Sequence, residues 1–242
     1  MDLKFINWHS FDAIIRLLRT NGIAMIGGLS SIDDLVHLSQ KVGKPIKHRD
    51  ANQNGVITLR PRDEEQQETF KGYTRKEQYL HTDGPIVSNP ADVVVLYCDL
   101  PAIKGGESTF VDGKNLFYRL AEEDPELLRA LMDSDAGIFG EPPNDVQIKP
   151  VFRSYDFNRL GICFRNDKLV TYSKIIQDKF DYLIETINGL TTHVKLNAGE
   201  GYIVNNNRFI HGRRSFTGDR IIHRVQLHSY PSNHIPLGFS LD

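Results

Sequence analysis

Residues 79–112 read YLHTDGPIVSNPADVVVLYCDLPAIKGGESTFVD. Strand-like runs stand close together here: YLHTD (79–83), DVVVLYC (92–98) and ESTFVD (107–112), the last entered through the Gly105-Gly106 turn. Short apolar and β-branched runs cut by Gly and Pro point to antiparallel strands, not to a regular alternation of strand and helix. Working outward, IAMIGG (23–28) and GVITLR (55–60) come before this stretch. QIKPVF (147–152), LGICFR (160–165), HVKL (193–196), GYIVN (201–205) and RIIHRVQLHS (220–229) come after it.

Helices gather at the start and in the middle. Ser10 precedes Phe11, Ile14, Ile15 and Leu18 at helical spacing, with Asn21-Gly22 as the stop; Ser31 precedes Ile32, Leu35, Leu38 and Val42, ended by Gly43. Asp112 is positioned to cap a third helix, and Asp124-Pro125 opens a fourth carrying Leu127, Leu128 and Leu131. One further amphipathic helix is expected from Ser173 to Gly189. The expected architecture is mainly β with flanking helices, a β-sandwich or jelly roll, in a single domain spanning residues 1–242. A parallel doubly wound sheet fits poorly. Residues 60–78 show no apolar periodicity, and a loop of that length in a small domain is a candidate lid.

Charge and composition narrow the function classes. With 29 basic against 31 acidic residues, no global positive field exists to hold nucleic acid or an anionic membrane surface. No apolar run approaches the roughly 20 residues of a membrane helix, and the N-terminus lacks a leader pattern. Cys98 and Cys163 both sit in apolar stretches, as buried free thiols do, which suits a cytoplasmic location. A small-molecule partner is the expectation, and association into a homo-oligomer is compatible with it.

His81 and Asp83, two residues apart in a strand-like run, point to one face and make a two-ligand bite. A second histidine would complete a facial set of two imidazoles and a carboxylate, and His211 in NNNRFIHGRRSF is the candidate. Taken alone, an H-x-D pair is more often a strand end with a hydrogen-bonded histidine. The last long strand bears on that choice. Arg220, Ile222, Arg224, Gln226 and His228 share one face by period two. Guanidiniums facing a barrel interior would cost on the order of several kcal/mol each unless anions match them; bidentate pairing with carboxylates is the natural match. The alternative is an exposed edge strand with solvated arginines. Ser108-Thr109, after Gly105-Gly106-Glu107, places a hydroxyl where it can share such an anion.

The segments LHTDGPIVSNPADVVVLYCDLPAIKGGESTFVDG and GYIVNNNRFIHGRRSFTGDRIIHRVQ, in this order, resemble the taurine dioxygenase-like family, which includes clavaminate synthase-like enzymes. The resemblance runs from about Tyr79 to the end. It implies a double-stranded β-helix, iron(II) held by His81, Asp83 and His211, and 2-oxoglutarate as cosubstrate with molecular oxygen. Ser108 would share the distal carboxylate of 2-oxoglutarate with Arg220. Arg224 stands where relatives often place a substrate-binding arginine, so which arginine holds the cosubstrate stays open.

Two positions depart from the family pattern. Leu80 replaces the usual tryptophan or phenylalanine, and Asn206-Asn207-Arg208 replaces the usual D-N-R. Asp83 fills the ligand position that related halogenases leave small, which favours hydroxylation over halogenation, while desaturation and ring formation use the same ligands; a small polar metabolite is the expected substrate. Tyr79 and Gly84 are pocket candidates beside the metal. Glu77 with Asp63-Glu64-Glu65 would suit a cationic group while Arg224 takes a carboxylate, as in a free amino acid. Arg213 is read as a pocket-rim or structural residue. The rival readings are a zinc hydrolase with the same ligands and a β-barrel binding protein without chemistry.

Overall fold

The computed structural model describes residues 3–62, 71–141, 145–156 and 158–241. Val93–Leu100 runs through the middle of the larger sheet, paired antiparallel with Gly201–Asn205 on one side and Ile221–Ser229 on the other. Both its faces are covered, which explains its unbroken valine run: Val93, Val94 and Val95 are all fully buried. From edge to edge this sheet runs Phe5–Asn7, Ile23–Gly27, Gly201–Asn205, Val93–Leu100, Ile221–Ser229 and Gly43–Pro45, with Val56–Leu59 also on Ile221–Ser229. A four-stranded sheet packs against it in the order Thr192–Val194, Ser108–Asp112, Phe209–Arg213 and Gln78–His81, all antiparallel.

Alternation along the strands builds the layers. Met25, Val94, Leu96, Tyr202, Val204 and Ile222 point inward and pack with Phe110 and Phe209 of the smaller sheet. Their neighbours Ala24, Ile26, Val95, Ile203, Val225 and Leu227 point outward against Ile14, Leu18, Leu35 and Leu38 of the helices Phe11–Thr20 and Ile32–Val42. Outside the smaller sheet, Val111 and Ile210 meet the helices Gly113–Glu123, Pro125–Met132, Lys174–Asp178 and Phe180–Gly189. The fold is a jelly roll clad by helices.

Ser31, Asp112 and Asp124 accept hydrogen bonds from the backbone N–H of Asp34, Lys114 and Leu127, each cap contributing about 1 kcal/mol. Ser10 and Ser173 precede their helices without a side-chain cap bond. The helix expected from Ser173 to Gly189 is two, Lys174–Asp178 and Phe180–Gly189. They meet at Lys179, whose Nζ donates to Asp124 at 2.9 Å and to Glu126 at 2.7 Å. QIKPVF also divides, because Pro150 has no N–H for a ladder. Gln147–Lys149 joins Gly137–Phe139, whereas Phe152–Asp156 joins Arg159–Ile162. Within the expected lid, Lys71–Tyr73 forms a 3-10 turn and Arg62 N–H bonds the Tyr73 carbonyl at 3.0 Å. Asp63, Glu64 and Glu65 lie outside the described residues. No helix among the described residues is long and apolar enough to cross a membrane.

Candidate metal centre and its two cavities

His81 ends the strand Gln78–His81 and lies opposite His211 in the ladder with Phe209–Arg213, their ring centroids 4.9 Å apart. Asp83 falls two residues past that strand end and is held there by Asn206. Asn206 Oδ1 accepts the Asp83 N–H at 2.7 Å, and its Nδ2 donates to the carbonyls of Asp83 and Ala91, each at 2.9 Å. One ligand atom from each of His81, Asp83 and His211 lies within 4.8 Å of the others.

The donors suit a divalent first-row ion. Tyr79 O can only accept, so the 2.8 Å contact with His81 Nδ1 puts the proton on that nitrogen and leaves Nε2 as a lone-pair donor. His81 Nε2 and His211 Nε2 stand 3.4 Å and 3.7 Å from Asp83 Oδ1. Burial works to raise the Asp83 pKa, but the carboxyl is held well below its usual range, with the Arg224 guanidinium the strongest lowering influence. Burial lowers the His211 pKa, which favours the neutral imidazole that metal ligation uses. Arg224 Nη1 donates to Asp83 Oδ1 at 3.2 Å, and Gln226 Nε2 to Oδ2 at 2.7 Å.

The last long strand shows its polar face to the interior, as Arg224 and Gln226 both reach Asp83 while Val225 and Leu227 turn to the helices. Cavities open on both sides of the trio. The outer, of about 570 Å³, is bordered by Tyr79 and Gly84 together with His48, Tyr73, Arg165 and Arg224. The inner, of about 30 Å³, is bordered by Ser108, Tyr202, His211, Arg213, Arg220 and Arg224. Arg220 therefore belongs to the inner cavity alone, and Arg224 stands between the two.

Arg213 lines the inner cavity and not the outer rim. Its guanidinium donates to the carbonyls of Arg214, Thr74 and Lys76 at 2.9, 2.9 and 2.7 Å. Arg213 and Arg220 both approach the Phe216 ring, at 4.7 Å and 5.7 Å from its centroid. Burial, with Arg220 close by, pulls the Arg213 pKa down, and burial lowers that of Arg220. Glu77 is exposed and borders neither cavity.

Four residues at the site escape the sequence reading. Tyr202 sits in GYIVN with no polar periodicity around it, yet it lines the inner cavity. Asn206 registers in the sequence only as a departure from D-N-R. Arg165 and Asp167, joined by a 2.9 Å Nε–Oδ1 hydrogen bond, form one wall of the outer cavity.

A family profile described as "Taurine catabolism dioxygenase TauD, TfdA family" matches residues 2–226. The gamma-butyrobetaine dioxygenases of Homo sapiens and Pongo abelii are each 26% identical over 167 residues, 63% of this chain and 43% of theirs. The chain thus spans less than half the length of these curated relatives. Among solved structures, asparagine oxygenase with Fe(II), 2S,3S-3-hydroxyasparagine and succinate superposes with a TM-score of 0.73 at 17% identity, over 96% of this chain and 85% of that one. The non-heme iron oxygenase OrfP with Fe, succinate and (3S)-hydroxy-L-Arg gives 0.71 at 14% identity, over 92% and 81%. A taurine dioxygenase from Burkholderia xenovorans gives 0.70 at 17%, over 93% and 85%. These structures share the jelly roll, and the match over residues 2–226 places the chain in the taurine catabolism dioxygenase TauD, TfdA family.

Proposed function

We propose that this protein is an iron(II)- and 2-oxoglutarate-dependent oxygenase that hydroxylates a small polar metabolite, a free amino acid or a related acid. The carrying observation is the His81, Asp83 and His211 trio set between a small cationic cavity and a larger one. Iron(II) bound there with 2-oxoglutarate supplies oxygen activation, with succinate and carbon dioxide as co-products. Ser108 and Arg220 hold the distal carboxylate of 2-oxoglutarate in the inner cavity, where the buried guanidinium needs an anion. Burial raises the Tyr202 pKa, so its hydroxyl stays protonated and available as a donor beside them.

Arg224 takes an acidic group of the substrate. Its Nη1 is on Asp83, but its buried Nε has no hydrogen-bond partner among the described residues. Asp167 supplies a carboxylate for a substrate ammonium. Burial works against its ionisation, but the Arg165 guanidinium holds it below the ordinary range. The hydroxylated amino acids in the OrfP and asparagine oxygenase structures support this substrate class. Cys98 and Cys163 are free thiols, and burial pushes both up to about 11, in keeping with work in a reducing cytoplasm. A zinc hydrolase would leave the paired guanidiniums of the inner cavity without a role.

Anaerobic protein mixed with iron(II) and 2-oxoglutarate is expected to show the weak visible metal-to-ligand charge-transfer band, and Asp83→Ala to lose it. Tight zinc binding without that band would replace the oxygenase with the hydrolase.

A further inference from the structure

We propose that Gln226 is a positioning residue that makes Asp83 a one-oxygen metal ligand, and thereby sets how many coordination positions stay open for other ligands. This rests on the metal centre proposed above. The two oxygens of Asp83 are not equivalent. Oδ1 is the one paired with His81 Nε2, His211 Nε2 and Arg224 Nη1, at 3.4, 3.7 and 3.2 Å. Oδ2 accepts from Gln226 Nε2 at 2.7 Å, the shorter of the two side-chain hydrogen bonds that strand Ile221–Ser229 gives to Asp83.

The orientation of the amide is fixed by chemistry. An ionised carboxylate only accepts, so Gln226 must present its NH₂ to Oδ2. Charge-assisted bonds of this length are the strong ones. Swinging Oδ2 onto the metal would break it and leave a buried acceptor and donor to be satisfied elsewhere. Arg224 cannot do this work, because its contact is with the oxygen that faces the imidazoles; it supplies charge, while Gln226 supplies direction. The Gln226 backbone is itself held on both sides. It pairs with Val94 in the central ladder, and its carbonyl accepts from Ile46 N–H at 2.9 Å.

The consequence is a coordination number. A carboxylate bound through both oxygens takes one more position than a carboxylate bound through one, and a chelating keto acid plus dioxygen need the position that would be lost. Second-sphere partners of this kind typically change metal affinity about 10–100-fold when removed.

Cobalt(II) is the probe, because its visible bands report coordination number without any turnover. The full chain would be titrated with cobalt(II) as wild type, Gln226→Met and Gln226→Leu, neither variant carrying a donor, with melting of the metal-free proteins alongside. The expected result is about 10–100-fold weaker cobalt(II) binding with altered band intensity in whichever variants fold. Variants with wild-type affinity and spectrum would overturn the role of Gln226 and leave the metal centre standing. A fall in the metal-free melting temperature alone would overturn it equally, since a structural role suffices for that. A wild-type protein that binds no cobalt(II) would remove the metal centre and this inference together.

Discussion

On the proposed reading Arg220, one residue before the strand Ile221–Ser229, and Arg224 within it divide the labour between cavities, and the division is a matter of single residues. Arg220 borders only the inner cavity, beside Ser108 and Tyr202, whereas Arg224 is committed by Nη1 to Asp83. Arg220→Met is therefore expected to raise the 2-oxoglutarate concentration that half-saturates the charge-transfer band by about 30-fold or more, the effect of truncating one partner of a buried charge pair. Arg224→Met should move that midpoint far less. If Arg224→Met abolishes the midpoint and Arg220→Met leaves it alone, the two assignments are reversed. His81, Asp83 and His211 were legible in the sequence because metal ligation demands few residue types, but the strand alternation that suggested a shared direction for the first two stops at His81, with Asp83 past the strand end. Nothing comparable marks Tyr202, whose role comes from what lies across the barrel.

At the level of elements, the joint between the two sheets decides the geometry of the centre. His81 and His211 face each other within one ladder, but Asp83 lies beyond its strand and is located by Asn206, which begins the turn after Gly201–Asn205. Three side-chain hydrogen bonds from one buried amide tie Asp83 and Ala91 to that turn. Asn206→Ala removes them all and leaves buried backbone groups unpaired, at a cost of about 1–3 kcal/mol for each group left unsatisfied. The expected outcome in denaturant unfolding is a lowered midpoint, together with weaker cobalt(II) binding in the protein that remains folded. A variant that loses stability and keeps its metal affinity would show that Asp83 is placed by other contacts. Sequence periodicity identified most of the strands here and the first four helices. It joined Lys174–Asp178 to Phe180–Gly189 because the break at Lys179 follows from Asp124 and Glu126, residues distant in the chain.

For the molecule as a whole, the layers and the cationic strand face were legible, but not every polar residue buried among the layers was. Runs such as DVVVLYC announce a strand covered on both faces, and apolar stripes on the first helices announce what covers it. His223, by contrast, looks like one more polar residue of its strand, yet it is only 3% exposed. Its Nδ1 meets Thr58 Oγ1 at 3.0 Å, its Nε2 faces Asp99 Oδ2 at 3.4 Å, and its ring stacks on Tyr97. Burial lowers its pKa from the usual histidine value, and Asp99 only partly offsets this. The unfolded chain takes up a proton at a pH of about 6.5, where the folded protein still resists it. Between those two pKa values the unfolded state binds more protons, so the contribution to stability is present above about 6.5 and is lost as pH falls through the folded value. Calorimetry of chelator-treated protein between about pH 7 and 5 should then show a falling melting temperature for the wild type, with a shallower fall for His223→Gln, which keeps a donor and an acceptor but cannot titrate. His48 and His211 are shifted in the same direction and remain in the variant, so the slope is reduced and not abolished. Identical slopes in the two proteins would mean that His223 takes up its proton at no cost to the fold, and that its burial among Thr58, Tyr97 and Asp99 does not resist the charge.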